Sequence, residues 1–163
     1  MRVVDTQEMD AVSEVDTRFL MNYQVQLGER SYFVGPSPMG RRVTGGIRGG
    51  SFEGPRLRGT VEPTGGDRAF MRPDDVQDAT VHAVLHTDDD QLIYMSYSGL
   101  IHPVSVIRRA LEGEDVDQSD VYWRMVHRFE APEGRYEWLN RVIAVSRGRA
   151  GPRSAEYQVY ELL

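Results

Sequence analysis

A glycine-rich stretch in the first half of the chain places the strongest constraint on the fold. Residues 45–61 read GGIRGGSFEGPRLRGTV and hold six glycines in seventeen positions, yet Ile47, Phe52 and Leu57 still require burial. Glycine inside strand-like sequence marks bulges, sharp bends or close backbone approach. The lysine of a phosphate-binding loop is missing, so that type of loop is excluded. The stretch predicts one strongly bent strand that turns the corner of a β-barrel.

Composition removes several classes of chemistry. The chain of 163 residues has no cysteine, and all 19 basic residues are arginine because lysine is absent. Thiolate nucleophiles, disulfides and thiolate metal sites are therefore excluded, as is Schiff-base chemistry on a lysine. A net charge of -6, with arginines scattered among carboxylates, argues against nucleic acid as a partner. The length suits one domain with a hydrophobic core.

The start of the chain predicts a cytoplasmic protein. Residues 1–5, MRVVD, lack the apolar core of a signal peptide, and no run of residues reaches transmembrane length, so no membrane partner is expected. Residues 1–17 mix acids with small apolar residues and predict a flexible N-terminal arm. Residues 18–163 are then the β-barrel domain.

Alternating hydrophobicity predicts strands over most of the chain, with a turn at Gly28–Ser31. Residues 104–112 instead have helical spacing at Val104, Ile107 and Leu111, which predicts one short helix of about two turns. Many strands with one short helix predict an all-β fold, and hairpin-length loops favour a single antiparallel closed barrel of about eight strands. The predicted strands are Phe19–Leu27, Tyr32–Val34, Gly45–Val61, Thr80–Thr87, Leu92–Ser98, Tyr122–Ala131, Tyr136–Arg147 and Glu156–Leu163.

The hairpin around Asp88–Asp90 brings two reactive side chains together in one of two registers. With a two-residue tip, His82 faces Tyr97, because directly opposed residues of an antiparallel pair share a face. A histidine beside a phenol can transfer protons, so His82 and Tyr97 are candidate catalytic residues. A three-residue tip shifts the register by one and separates them. The composition of the turn fits both tips.

Two patterns that resemble metal sites are rejected. His82 and His86 lie four residues apart on one strand, which separates their backbones by about 13 Å at a rise of about 3.3 Å per residue. Asp88–Asp90 lacks the glycine and the final glutamate of a calcium loop. Dinucleotide-binding and phosphate-binding loops are missing as well. We therefore expect no metal and no other cofactor.

Residues 136–142, YEWLNRV, predict an aromatic strand face that carries one amide. In a strand, Tyr136, Trp138 and Asn140 share a face. An asparagine between inward aromatic rings needs a partner for its amide, which a ligand in a cavity can supply. Asn140 is thus a candidate catalytic residue and Trp138 a candidate ligand-binding residue. The alternative is that Trp138 fills a packed core while Asn140 bonds to backbone.

Four further side chains are candidate ligand-binding residues. Tyr122 and Arg124 lie on the more polar face of the strand at 122–130, where Arg124 requires a polar cavity or a dimer interface. Glu53 and Asp67 lie in glycine-rich contexts, and their alternative role is to satisfy backbone N–H groups in bends. The more apolar face of the same strand, which we expect to point inward, consists of Trp123, Met125, His127 and Phe129.

Several motifs in a fixed order are similar to the family labelled domain of unknown function number 3237, from about Phe19 to the C-terminus. The resemblance implies a compact antiparallel β-barrel, broadly like the lipocalin and allene-oxide-cyclase barrels, and a homodimer. It implies no particular activity. Arg68–Ala69 departs from the tryptophan expected after Gly65–Asp67. The shared motifs are Gly49–Pro55, Leu57–Gly59, Gly65–Asp67, Thr87–Asp89, Ile93–Tyr94, Gly99, Tyr122–Arg124, Phe129–Glu130, Tyr136–Asn140 and Val159–Glu161.

These observations predict a cofactor-free enzyme that binds one small apolar or aromatic molecule, like those of secondary metabolism, inside the barrel. Positioning and acid–base groups would promote isomerisation, cyclisation or elimination, since the side chains for other chemistries are missing. The alternative is a non-catalytic carrier or sensor of such a molecule. A third possibility is a structural dimerisation module whose barrel is packed solid.

Overall fold

A computed structural model describes residues 14–163 of the chain. The predicted N-terminal arm, residues 1–17, lies largely outside the described residues, and its last residue, Thr17, begins the first strand. The elements in chain order are β1 (Thr17–Ser37), β2 (Gly40–Glu53), β3 (Arg58–Val61), β4 (Gly66–Met71), β5 (Gln77–Thr87), β6 (Leu92–His102), α1 (Val104–Leu111), β7 (Tyr122–Glu130), a 3₁₀ helix (Glu137–Arg141), β8 (Ala144–Gly151) and β9 (Ser154–Leu162).

The strands form one antiparallel sheet that closes into a ring. Their order is β1-β9-β8-β7-β6-β5-β3-β2-β4, and additional pairings join β1 to β2 and β5 to β4. The short strands β3 and β4 lie one after the other between β2 and β5, and β1 completes the ring by pairing with both β9 and β2. The predicted all-β antiparallel fold with one short helix is confirmed for the described residues.

The first strand is longer than the sequence predicted. Gly28–Ser31 is not a turn, because β1 continues through it and β2 stays paired on both sides, with Leu27 opposite Ile47 and Ser31 opposite Gly45. Three residues of β1 face one residue of β2 there, which makes the segment a bulge. Beyond the bulge, Tyr32, Phe33 and Val34 are exposed on the part of β1 that extends past β9.

The glycine-rich stretch reverses direction instead of bending as one strand. Its first half completes β2 and its second half forms β3, with Glu53 opposite Arg58 across a turn at residues 54–57. The predicted close approach of backbones is present. At Gly50 the backbone φ is +153°, and a Cβ there would lie 2.0 Å from the Gln24 carbonyl oxygen. The prediction of a single bent strand was therefore wrong. The prediction that the glycines allow two backbones to approach closely is confirmed.

The strands β6 and β7 place alternate side chains inside the ring. In β7, Trp123, Met125, His127 and Phe129 are buried as predicted, and the residues between them are more exposed. This alternation of buried and more exposed side chains follows from the two-residue period of a strand. The buried interior of the ring is continuous from Leu20 on β1 to Val159 on β9.

The predicted helix is present and covers one end of the ring. It begins after Pro103 and ends at Leu111, and Gly113 follows with a φ of +93°. Its buried face carries Ile107 and Ala110. The Ser105 hydroxyl donates to Asp75 Oδ2 at 2.9 Å, which ties the helix to the loop before β5. No helix within residues 14–163 is long and apolar enough to span a membrane.

The predicted strand Tyr136–Arg147 is wrong in its first half. Residues Glu137–Arg141 form the 3₁₀ helix, and β8 begins only at Ala144. The physical reason is the side chain of Asn140, which satisfies nearby backbone groups. Its Nδ2 donates to the carbonyl oxygens of Ala131 and Glu137, and its Oδ1 accepts from the Ala131 N–H at 2.8 Å. The alternating face proposed for residues 136–142 therefore does not exist.

Candidate active site

A cavity of about 80 Å³ lies inside the ring beneath α1. Its walls are mostly apolar, and Ile107 and Leu111 of the helix close it from above. Only a few polar groups reach its walls, which is the usual composition of a small-molecule site. The polar or aromatic lining residues are Ser31, Asp67, Gln77, Tyr97, Trp123 and Tyr157.

Asp67 is the ionisable carboxyl of this cavity. It lies in β4, where Gln77 Nε2 donates to its Oδ2 at 3.2 Å. Its Oδ1 is sealed from solvent and has no hydrogen-bond partner among the described residues. Burial raises the pKa of Asp67 to about 7, and the hydrogen bonds from the Arg68 backbone and the Gln77 side chain only partly oppose this rise. The carboxyl can therefore exchange a proton near neutral pH.

Three tyrosines meet in the centre of the ring beside this carboxyl. Tyr97 and Tyr23 share a hydrogen bond of 3.2 Å between their hydroxyl oxygens, and the ring of Tyr157 stacks on Tyr23 with centroids 5.4 Å apart. Burial raises the pKa of each phenol well above its ordinary value, and the charge of Asp67 raises the pKa of Tyr97 and Tyr157 further. These phenols stay protonated at neutral pH and act as hydrogen-bond donors.

Trp123 supplies a second unpaired polar atom to the cavity wall. Its indole Nε1–H is buried and makes no hydrogen bond of good geometry among the described residues, although it lies near enough to the Tyr157 hydroxyl to oppose part of the rise in the pKa of that phenol. The indole packs flat against the backbone of β8, where a Cβ on Gly148 would lie 2.7 Å from three ring atoms. Gly148 therefore makes the space that the indole occupies. An uncompensated buried donor costs about 1–3 kcal/mol, so a ligand that accepts this hydrogen bond recovers that free energy.

His127 packs against the tyrosine cluster. Its ring stacks on Tyr97 with centroids 4.7 Å apart, and its Nε2 shares a hydrogen bond of 2.8 Å with Ser146 Oγ. Burial lowers the pKa of His127 to about 3, so the imidazole is neutral at neutral pH. His127 is not among the residues that line the cavity. It can hold Tyr97 in place but does not reach a ligand.

The structure separates the two predicted catalytic residues His82 and Tyr97. The observed hairpin has the three-residue tip, with His86 opposite Leu92 and His82 opposite Ser96. Tyr97 points into the cavity, whereas His82 lies on the outer face and shares a hydrogen bond of 2.5 Å with the Tyr94 hydroxyl. Of the two registers that the sequence left open, the three-residue tip is the one observed, because Thr87 and Gln91 close the turn through backbone and hydroxyl hydrogen bonds. The candidate pair His82 and Tyr97, which required the two-residue tip, is therefore wrong.

Trp138 and Asn140 do not line the cavity. Asn140 is exposed and bonds to backbone, as the alternative interpretation of the sequence held. The ring of Trp138 lies under the guanidinium of Arg56, whose carbon is 3.4 Å from the ring centroid. This contact is a cation–π interaction, and it lies at the opposite end of the ring from the cavity beneath α1.

Two of the remaining candidates, Arg124 and Glu53, line an open groove of about 1180 Å³ on the outer face of the ring. They stand at opposite ends of one cross-strand row that runs Arg124, Arg147, Gln158, Asn22 and Glu53 from β7 to β2. We call this space the outer groove. Tyr122 is not among its lining residues and stacks on His102 at the end of β7, with centroids 5.0 Å apart.

Four residues that shape the cavity were not predicted as site residues: Gln77, Trp123, Tyr157 and the supporting His127. The alternation of β7 placed His127 on the inward face, and a buried histidine among aromatics was the available signal. Tyr157 lies on the inward face of β9 with the same period of two. Gln77 carried no signal, because only the pairing of β4 with β5 brings it to Asp67. Within residues 14–163, no group of three or more His, Asp or Glu side chains is placed to hold a metal ion.

Relatives of the chain have been found by sequence. A UPF0311 protein of Rhodopseudomonas palustris is 28% identical over 132 residues, which are 80% of this chain and 86% of that protein. A UPF0311 protein of Clostridium acetobutylicum is 28% identical over 125 residues, which are 76% of this chain and 79% of that protein.

Solved structures resemble the fold over nearly its whole length. A β-barrel-like protein from Acinetobacter baumannii has a TM-score of 0.80 at 28% identity and covers 92% of this chain and 97% of its own. An enzyme from Penicillium herquei has a TM-score of 0.66 at 19% identity, with 91% and 95% covered, which shows a shared fold alone. The model of the family described as "Protein of unknown function (DUF3237)" matches residues 15–162. The chain belongs to this DUF3237 family.

Proposed function

We propose that the protein is a cofactor-free enzyme that carries out acid–base chemistry on a small molecule inside the ring of strands, which we take to be a closed barrel of the lipocalin kind. The observation that carries the proposal is Asp67, a carboxyl whose pKa is raised to about 7 by burial at the wall of a cavity. General acid–base catalysts work best when their pKa lies near the operating pH. The reaction is an isomerisation, a cyclisation or an elimination.

The surroundings of Asp67 suit such a step. The apolar walls exclude water, which strengthens each electrostatic interaction inside the cavity. Tyr97 and Tyr157 are protonated phenols on the same cavity, so they can donate hydrogen bonds to an oxygen that gains negative charge. Asp67 moves the proton, and the phenols stabilise the anionic intermediate.

The helix α1 controls how large a substrate can be. An engineered cavity of about 150 Å³ holds benzene, and the cavity beneath α1 is about 80 Å³. An aromatic substrate therefore enters only when α1 moves away from the ring. The hydrogen bonds that attach the helix lie at its two ends. Val104 N–H and Ser105 donate to Asp75 at one end, and the Leu111 carbonyl accepts from the Arg153 N–H at 3.0 Å at the other.

The test begins with native mass spectrometry of freshly purified protein, followed by denaturation and identification of any released molecule. That molecule and its close analogues are then incubated with the protein and with the Asp67→Asn variant. We expect turnover by the unchanged protein and a loss of about 100-fold or more in the variant, the size of a general acid–base contribution. Equal turnover by both proteins would refute the role of Asp67.

A non-catalytic carrier is the other candidate, and the small number of polar groups on the cavity walls favours it. A ligand that is recovered unchanged after long incubation would support the carrier and exclude the enzyme. A homodimer and a cytoplasmic location remain predictions from the sequence. Analytical ultracentrifugation would test the first, and Tyr32, Phe33 and Val34 on the extension of β1 are exposed apolar residues for such an interface.

A further inference from the structure

Three buried side-chain atoms make no hydrogen bond among the described residues, and two of them, of opposite character, belong to the cavity wall. The third, His127 Nδ1, belongs to a residue that does not line the cavity. Trp123 Nε1–H is a buried donor that makes no hydrogen bond of good geometry, and Asp67 Oδ1 is a buried carboxyl oxygen that accepts none, both among the described residues. Both residues line the same cavity of about 80 Å³. Leaving each atom unpaired destabilises the fold, because the atom has given up its hydrogen bonds to water. A ligand that accepts a hydrogen bond from Trp123 would satisfy the first atom, and an acidic C–H on the same ligand would give Asp67 Oδ1 a proton to remove.

The rest of the lining limits the chemistry of that ligand. The walls are built mostly of valine, isoleucine, leucine, alanine and glycine, and no arginine reaches them. A charged ligand would lose its hydration there without a countercharge, so the ligand is neutral. The volume is about half of the 150 Å³ that holds benzene, so a ligand of the closed state is smaller than benzene.

We infer that the substrate is a small neutral carbonyl compound with a hydrogen on the carbon next to the carbonyl, that is, an enolisable aldehyde or ketone. The carbonyl oxygen accepts from Trp123 Nε1–H, and the α-carbon lies beside Asp67 Oδ1. This inference rests on the proposed acid–base function and adds the class of substrate to it.

The reaction that follows is a proton shift without a co-reactant. Asp67 takes the α-proton, the electrons of the C–H bond form the C=C bond of the enolate, and the electron pair of the C=O bond moves to the oxygen. Trp123 Nε1–H donates to that oxygen, with Tyr97 as a further donor on the same cavity. Asp67 then returns the proton to the same carbon or to the far carbon of a conjugated system. Substrate and product are isomers, so atoms and electrons balance.

Binding is tested by NMR, because the chain has only two tryptophans. The ¹⁵N-labelled protein gives two indole N–H signals, and the Trp138→Phe variant identifies the one from Trp123. The probe is 2-butanone, and the control is the hydrocarbon 2-methyl-1-butene, which has similar size but no acceptor oxygen. We expect 2-butanone to shift the Trp123 signal downfield and leave that of Trp138 unchanged, with no such shift from the hydrocarbon.

Chemistry is tested by hydrogen exchange. The protein and 2-butanone are incubated in D₂O at pH 7, and the loss of α-proton signals is followed. We expect acceleration over buffer, a loss of about 100-fold or more in Asp67→Asn, and a loss of about 10-fold or more in Trp123→Phe. Trp138→Phe is the matched control and retains the rate. Thermal unfolding of each variant establishes that it is folded.

The outcomes separate this inference from the function on which it rests. An unshifted Trp123 signal and unaccelerated exchange, in a protein that still turns over a released ligand through Asp67, would overturn the substrate class alone. Exchange that persists in Asp67→Asn would overturn the assigned base. If Asp67→Asn also turns over every released ligand at the original rate, the proposed function fails as well.

Discussion

The cavity beneath α1 and the outer groove are two opposite kinds of concave surface on one sheet. The groove is more than ten times larger, is lined by a cross-strand row of charged and amide side chains, and is open to water. The cavity is small and apolar, with few polar groups. Yet the cavity contains the carboxyl whose pKa reaches about 7. The pKa of a carboxyl on this sheet therefore follows its desolvation and not the size or polar content of the space beside it.

The largest expected difference between the cavity and the outer groove is in the effect of a substitution on turnover. Asp67→Asn should reduce turnover of a bound substrate by about 100-fold to 10,000-fold, because the amide cannot exchange a proton. Arg147→Gln in the outer groove should leave turnover within about 2-fold, since Arg147 is exposed on the opposite face of the sheet. Steady-state kinetics of both variants makes the comparison. A stronger effect from Arg147→Gln would move the active site to the groove.

The next effect is on the pH dependence of stability. Asp67 has a pKa of about 7 in the fold and an ordinary value of 3.8, so the folded state keeps a proton that the unfolded state loses. This contribution is complete below about pH 4 and is lost as the pH rises to about 7. His127 acts in the other direction: its pKa is about 3 in the fold and 6.5 ordinarily, so its contribution is lost as the pH falls below about 6.5.

The two contributions therefore offset each other between about pH 4 and 6.5. In Asp67→Asn only that of His127 remains, and the free energy of unfolding should rise with pH across this range by up to about 1.4 kcal/mol per unit. The unchanged protein should show a flatter profile. Urea unfolding from pH 4 to 7 measures both. Parallel profiles would mean that the pKa of Asp67 is not raised in the fold.

A smaller effect tests the backbone that separates the two surfaces. Gly148 belongs to the wall of the groove, and the Trp123 indole on its inner side belongs to the cavity. Gly148→Ala should displace the indole and reduce the free energy of unfolding by about 1–3 kcal/mol through overpacking. Gly46→Ala is the control, because its Cβ would meet no heavy atom closer than 4.0 Å. Thermal unfolding and the Trp123 indole signal would report both variants, and equal stability would contradict the packing argument.

The smallest effect on the cavity is expected from a residue that lies away from both surfaces. Asn140→Ala removes the hydrogen bonds that close the 3₁₀ helix and should reduce stability by about 1 kcal/mol. Ligand affinity should not change, because Asn140 does not line the cavity. Isothermal titration with the recovered ligand measures this, and a weakened affinity would show that the segment reaches the site.

The predictable parts of the fold are those governed by short-range periodicity. The inward face of β7 and the bounds of α1 follow from spacings of two and about 3.6 residues. The register of the β5–β6 hairpin did not follow, since it depends on one residue in the turn and a shift by one moves His82 to the other face. Residues 137–141 have the aromatic composition of a strand, but the side chain of Asn140 satisfies the local backbone in another conformation.

The candidate site was only partly predictable for a related reason. Asp67 and Tyr97 were identified as candidates from their residue types and context. The properties that make them a site depend on partners far along the chain: Gln77 comes from β5 and Tyr157 from β9. Burial by such distant elements raises the pKa of Asp67, and no local pattern carries that information.

The closure of the ring has a consequence for how the protein is made. The strand β1 is synthesised first among the described strands, yet one of its edges waits for β9, the last of them. Until residues 154–162 leave the ribosome, β1 and β8 both present unpaired backbone edges, and such edges pair readily with other chains. The nascent protein is therefore most prone to aggregation until β9 has been synthesised, and slow translation of that strand would lower the yield.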